Sequence, residues 1–268
     1  MSESAESTAY AGVWQMLDRP RLEAIVRTGN EPLFATISGA HLYGFASPNS
    51  DVDLRGVFIL PASAFLGLGA PEETVSIADM SDGLELDWVA HDVRKFARMM
   101  TQDNGYVLEQ LYSPLVVVGG EEHERLKELG RGCVTRGLFR HYRGFAHGRR
   151  KLLGEANPTV KHLLYAYRVY LTGIRALRTG VIEANILELN REFRLTQVDE
   201  LVARKRAGAE KMALGANEVE QHSKFLDQLE AELESAHESS SLPEHAASRA
   251  ALERFVVDLR LERIRREA

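Results

Sequence analysis

ISGAHLYGFASPNSDVDLRGVFI, residues 37 to 59, decides how this chain is read. A small-residue turn, Ser38-Gly39-Ala40, follows the apolar run Leu33 to Ile37, which predicts a first core strand. His41 to Phe45 predicts a short helix on that turn, and Ser47-Pro48-Asn49-Ser50 a second turn. Asp51 to Ile59 then reads as a second strand. Side chains alternate along a strand, so Asp51, Asp53 and Arg55 share one face while Val52 and Leu54 point into a core. Two carboxylates this close repel unless something positive sits between them. A divalent metal is the usual answer, and oxygen ligands at this spacing suit magnesium. The backbone N–H groups of the upstream turn suit a phosphate. Together they describe a nucleoside triphosphate site; a solvated Asp-x-Asp turn is the plainer alternative.

The run from Ser38 to Phe58 resembles the signature of the DNA polymerase β-like nucleotidyltransferase superfamily, a Gly-Ser turn followed by a spaced acidic pair. It is most similar to the branch associated with RNA ligases and RNA repair. The resemblance is strong here and continues more weakly to about Pro114. It departs at the turn, where Gly39 is followed by Ala40 and not by Ser. The missing hydroxyl removes one phosphate hydrogen bond, worth roughly 1 kcal/mol.

The resemblance implies an α/β (α+β) nucleotidyltransferase fold, a small mixed sheet with flanking helices, followed by an all-α helical domain. Leu84-Glu85-Leu86-Asp87-Trp88-Val89 alternates as a third strand with its acids on one face. The superfamily takes a third carboxylate from a strand beside the acidic pair. Asp87 is favoured for that role, with Glu85 its rival two residues away. Asp92 is placed to cap the next helix, whose apolar stripe is Val93, Phe96, Ala97 and Met100. Tyr106 to Leu111 predicts a second helix and Leu115 to Val118 an edge strand.

Gly119-Gly120 marks the expected boundary between a catalytic domain, residues 1–118, and a helical domain, residues 121–268. Pro61 to Pro71 reads as a loop, Thr196 to Lys211 as a helix, and Met1 to Thr8 as disordered. From Arg131 to Lys151 there are seven Lys or Arg and no acid. Arg136, Arg140, Arg143 and His147 fall on one helical face, which suits an RNA backbone or a nucleotide's phosphates. The alternative is a solvated face offset by acids such as Glu230, Glu232 and Glu234. Arg140 and His147 also match the short Arg-x(4–6)-His spacing of helical ribonucleases, which an Arg- and His-rich helix generates by chance. In two-lobed nucleotidyltransferases the helical lobe lends basic and aromatic groups to the nucleotide. That points to Lys161 and Arg168 for the polyphosphate and Tyr165 for the base.

The totals narrow the classes. A net charge of −6 gives no global pull toward nucleic acid, so any polyanion site is local. Cys133 is the only cysteine, so no internal disulfide forms, which suits a reducing cytoplasm. No apolar run has the length of a membrane span, and the nine histidines show no zinc spacing.

The expected activity is metal-dependent transfer of a nucleoside monophosphate from a triphosphate such as ATP to an acceptor hydroxyl, with pyrophosphate released. RNA is the favoured acceptor; a protein or small molecule would use the same chemistry. Asp51, Asp53 and Asp87 would hold two Mg²⁺ ions, or Mn²⁺. Ser38, Gly39, Ala40 and Arg55 would face the phosphates. A non-catalytic nucleotide-binding protein is the alternative that Ala40 motivates. Glycosyl transfer, where Asp-x-Asp also recurs, fits the upstream turn less well.

Overall fold

The computed structural model describes residues 10, 12–47, 50–81, 84–155, 157–209 and 213–267. The chain divides into two compact units, the first made of Met1–Gly39, Asp51–Cys133 and Ala246–Ala268, the second of Ala40–Ser50 and Val134–His245. Its elements in order are α1 (Val13–Met16), α2 (Arg19–Val26), β1 (Pro32–Ile37), α3 (Gly39–Leu42), β2 (Val52–Phe58) and α4 (Ser63–Leu66). Then come β3 (Thr74–Ser81), β4 (Leu84–Asp92), α5 (Val93–Met100), α6 (Gly105–Leu111), β5 (Val116–Val118) and α7 (Glu121–Arg131). Helices α8 (Leu138–Leu153), α9 (Val160–Thr179), α10 (Ile186–Phe193), α11 (Thr196–Arg204), α12 (Ala216–Glu238) and α13 (Arg249–Glu267) complete it, with a π-helical turn at Lys205–Ala209.

The first unit is built on one mixed sheet, in the order β3-β4-β2-β1-β5. β2 and β4 run parallel, and every other neighbouring pair is antiparallel. Alternation works as the sequence predicts: Val52 and Leu54 are fully buried, and Leu86 and Trp88 nearly so. Each such side chain contributes roughly 1.5–3 kcal/mol when taken out of water. Helices α5, α6 and α7 lie against β1, β2 and β4, and α2 against β5. Phe34 on β1 meets Phe96 of α5 edge-on at 5.6 Å and stacks on His123 of α7 at 4.3 Å. This is the small mixed sheet with flanking helices that the family resemblance implies.

The second unit is helical. Its centre is α9, buried along most of its length. Gly173 sits mid-helix because a Cβ there would meet the Tyr142 side chain at 2.7 Å and Leu233 Cδ1 at 2.9 Å. That missing side chain lets α8 and α12 close onto α9.

Several expectations need correction. Gly119-Gly120 is not where the chain divides. α7, just after it, belongs to the sheet-bearing unit because His123 and Leu126 fill that unit's core. α13 also returns to the first unit, and Ala40–Ser50 belongs to the second. The loop expected over Pro61 to Pro71 contains the single turn α4, and β3 had been missed altogether. α11 stops at Arg204; Glu210 and Lys211 of the longer expected helix lie outside the described residues, as do Met1 to Thr8 and Pro48 and Asn49 of the second turn. No helix among the described residues is long and apolar enough to cross a membrane.

Candidate active site

β2 and β4 lie side by side and in parallel, and their register sets Asp53 directly abreast of Asp87. Asp51 is the residue just before β2 and is half-buried. Glu85 stands two residues earlier on β4 than Asp87 and is exposed. The sheet therefore brings Asp51, Asp53 and Asp87 to one end of two adjacent strands, with Asp87 the closer partner of Asp53.

What lies between Asp53 and Asp87 is Arg55. Its Nη2 donates to Asp53 Oδ1 and to Asp87 Oδ2, both at 2.8 Å. Nη1 donates to the carbonyls of Leu54 at 2.7 Å and Asp87 at 2.8 Å. Nε donates to the Tyr106 hydroxyl at 2.9 Å. A guanidinium has five N–H donors, and all five are used. Burial alone would lower the Arg55 pKa, but Tyr106, Asp53 and Asp87 outweigh it and hold it above its ordinary value. Burial also pushes the Asp53 carboxyl above its ordinary value; Arg55 opposes this, while Asp51 and Asp87 add to it. Sequence reasoning set Arg55 toward phosphate charge and did not find Tyr106. The structure spends the arginine on the carboxylates, with the tyrosine behind it.

The other side of Asp53 faces the small-residue turn. Gly39 has φ +58°, and a Cβ on it would run into Asp53 Oδ2. The Ser38 amide donates to the Asp53 carbonyl at 2.8 Å, tying the turn to β2. Ser38 Oγ is buried without a hydrogen-bond partner among the described residues. Glycine is thus required at 39 for its backbone conformation and for this close approach.

Among the described residues, no three His, Cys, Asp or Glu side chains stand close enough to enclose a metal ion. Asp53 and Asp87 each turn one oxygen to Arg55 instead. The donor set still fits a hard cation: it is all carboxylate, two of its members are abreast, and each keeps a second oxygen.

The helical-unit candidates are placed as follows. Arg168 is buried with its guanidinium 3.9 Å from the centre of the Tyr43 ring. Tyr165 meets Tyr43 at 5.7 Å and Phe45 at 5.3 Å, with Arg149 over its ring at 4.9 Å. These side chains grip the 40–50 segment, which joins the Gly39 turn to Asp51. Lys161 is exposed. The basic face of α8 is largely matched by acids. Arg143 pairs with Glu230 and Glu234 and His147 with Glu230, while Arg136 precedes α8 and pairs with Glu244. Arg150, on the same helix, pairs with Asp227 and Glu230. Glu230 and Glu234 of α12 are among the acids that the plainer sequence reading named.

An uncharacterized protein of Methanocaldococcus jannaschii is 34% identical over 157 residues, 58% of this chain and 63% of that protein. The match therefore spans less than two thirds of that relative's length. The RNA repair pathway DNA polymerase beta family matches residues 17–258, covering the sheet, the acidic strands and most of the helical part. By that match the chain, in its general kind a nucleotidyltransferase-superfamily protein, belongs to the RNA repair pathway DNA polymerase beta family.

Proposed function

We propose that this protein is a metal-dependent nucleotidyltransferase that moves a nucleoside monophosphate from a nucleoside triphosphate to a hydroxyl on RNA, releasing pyrophosphate. The observation that carries it is the pairing of Asp53 with Asp87 across parallel strands, one residue pair from Asp51, with the Gly39 turn against Asp53. RNA as acceptor rests on the family match alone.

In this reading Asp51, Asp53 and Asp87 hold the divalent ions, Mg²⁺ or Mn²⁺. The chemistry supplied there would be a lowered pKa for the acceptor hydroxyl and charge neutralisation on the leaving pyrophosphate. The chain's own work is positioning. The Gly39-Ala40 turn offers backbone N–H groups to the phosphates. Arg55 fixes the two strand carboxylates. Arg168 packs on Tyr43, and Tyr165 on Tyr43 and Phe45, in the segment that follows the turn. Transfer then needs the acceptor oxygen and the α-phosphorus aligned, with little covalent work for the protein.

The test is pyrophosphate release from each ribonucleoside triphosphate with Mg²⁺ and a pool of small RNAs, beside Asp51→Asn and Asp53→Asn. Release that needs both aspartates and leaves labelled nucleotide on RNA is expected. Label on protein keeps the chemistry and moves the acceptor. A second reading, nucleotide binding without catalysis, is favoured by Ala40 and by the carboxylates' engagement with Arg55. It is the outcome if triphosphate binds and no pyrophosphate appears.

A further inference from the structure

Arg55 carries more than its place in the motif requires. Three of its five hydrogen bonds go to groups that are not candidate metal ligands' side chains: the Tyr106 hydroxyl and the main-chain carbonyls of Leu54 and Asp87. These hold the guanidinium from behind. Only Nη2 faces the carboxylates, and it takes one oxygen from each. The Arg55 side chain is 10% exposed. Swinging it out would give up its bonds to two carbonyls and break its ion pair with Asp53, whose side chain is 19% exposed. An arginine that steps aside when cations arrive would not be pinned in this way.

We propose that Arg55, held by Tyr106, is a fixed cationic bridge that sets the positions of Asp53 and Asp87 and stays in place when divalent ions bind. This rests on the nucleotidyltransferase reading for the ions themselves. Arg55 is a positioning residue here: it acts through the two aspartates. Its charge and its shape do different things. The charge lies beside two carboxylates, Asp53 and Asp87, and weakens their pull on a divalent cation. The planar fork holds two carboxylates and two carbonyls at once, which an ammonium cannot do.

The test separates the two. Mn²⁺ affinity of the metal-free protein is measured by electron paramagnetic resonance, and kcat and KM for the triphosphate by pyrophosphate release. Wild type, Arg55→Met, Arg55→Lys and Tyr106→Phe are compared, with Asp53→Asn as the control that loses Mn²⁺. Arg55→Met is expected to bind Mn²⁺ tighter, by roughly fivefold or more, because a cation is gone from the site. Its kcat is expected to fall by about 10- to 100-fold, with KM changing less. Arg55→Lys keeps the charge, so its Mn²⁺ affinity should stay near wild type while kcat falls as in Arg55→Met. Tyr106→Phe should lower kcat by a smaller factor and leave Mn²⁺ affinity unchanged.

Weaker Mn²⁺ binding in Arg55→Met together with a lower melting temperature would mean a merely structural arginine and overturn the inference. Tighter binding with kcat at or above wild type would mean a gate and overturn it too. If Arg55→Met does not fold, wild-type kcat in Arg55→Lys overturns it. A wild-type protein that binds Mn²⁺ but releases no pyrophosphate sinks the transferase reading alone. The Mn²⁺ affinities of the Met and Lys variants then decide the role of Arg55.

Discussion

Gly39 holds two constraints at one residue. Its φ of +58° is left-handed, and its Cα faces Asp53 Oδ2 with no room for a methyl. Gly39→Ala meets both: the backbone costs about 1 kcal/mol, and the Cβ displaces the carboxylate. Mn²⁺ binding by Gly39→Ala is expected to weaken by about tenfold or more, measured by calorimetry, with the far-ultraviolet circular dichroism unchanged. Unchanged affinity would show that Asp53 is not a ligand. Ala40 carries the opposite prediction. Ala40→Ser supplies the hydroxyl that the family turn has, and triphosphate should bind about fivefold tighter for a hydrogen bond worth roughly 1 kcal/mol. No change would mean that the backbone N–H groups alone hold the phosphates.

At the scale of the element, the first unit is held at the C-terminal ends of β2 and β4 by Arg260 of α13. Arg260 Nη2 donates to Asp92 Oδ1 and Nη1 to the Leu60 carbonyl, each at 2.6 Å, and its guanidinium lies 4.1 Å from the centre of the Phe65 ring. Asp92 is fully buried and also accepts from the Arg94 and Leu60 amides. Arg260→Met leaves that carboxylate without its cation. Breaking such a pair costs about 3 kcal/mol, so the first unit's melting temperature should fall by roughly 6–12 °C in differential scanning calorimetry. A fall of less than 2 °C, about what an exposed pair is worth, would mean that the two backbone amides suffice for Asp92.

The same element shows what the sequence could and could not disclose. The alternation of β2 and β4, the cap at Asp92 and the edge strand β5 were legible because each depends on local pattern. β3 was overlooked, though Asp82-Gly83 between it and β4 is a dipeptide typical of two-residue hairpin turns. Those two residues lie outside the described ones. The register that sets Asp53 beside Asp87, and the reach of Arg55 to Tyr106, are 34 and 51 residues apart in the chain. No spacing in the sequence encodes them. The same holds for Arg260, which reads as part of a charged helix end until its buried partner is seen.

Across the molecule, basic and acidic side chains pair within each unit. The basic face of α8 meets the acids of α12, and the first unit sets Arg94 and Arg98 against Glu73. Arg143 is 43% exposed, so its pairs are worth at most about 1 kcal/mol. Arg143→Ala is therefore expected to leave stability nearly unchanged. It should also leave RNA retention in a gel-shift assay within about twofold of wild type, since a cation already paired with Glu230 and Glu234 has little to give a phosphate. A loss of tenfold or more would return that face to the acceptor site.

Acid stability reads both units at once, because burial lowers the pKa of histidines in each, His91 as well as His123 in the first and His141 in the second. In the first, burial pushes His123 down to about 4, with Lys127 adding to it; its ring stacks on Phe34 and Nε2 lies 3.0 Å from the Leu111 carbonyl. In the second, burial and then Arg168 push His141 down to about 4. Below the ordinary histidine pKa of 6.5 the unfolded chain takes up protons that the folded chain does not. Stability is therefore full above about 6.5 and falls as pH drops toward 4. The lowered carboxyls of Glu73, Glu124 and Glu230 act in the same direction but only below their ordinary 4.5. Asp53, raised by burial, acts in the opposite sense. Between 6.5 and 4.5 the lowered histidines act to reduce stability as pH falls. His123→Phe keeps a ring against Phe34 and removes the titration. In urea unfolding followed for the first unit, the loss of stability between pH 7 and pH 5 should shrink by about 2 kcal/mol in that variant. An identical loss in variant and wild type would mean that His123 accepts its proton in place, through the stacked ring and the Leu111 carbonyl, and that the acid sensitivity of the sheet-bearing unit lies elsewhere.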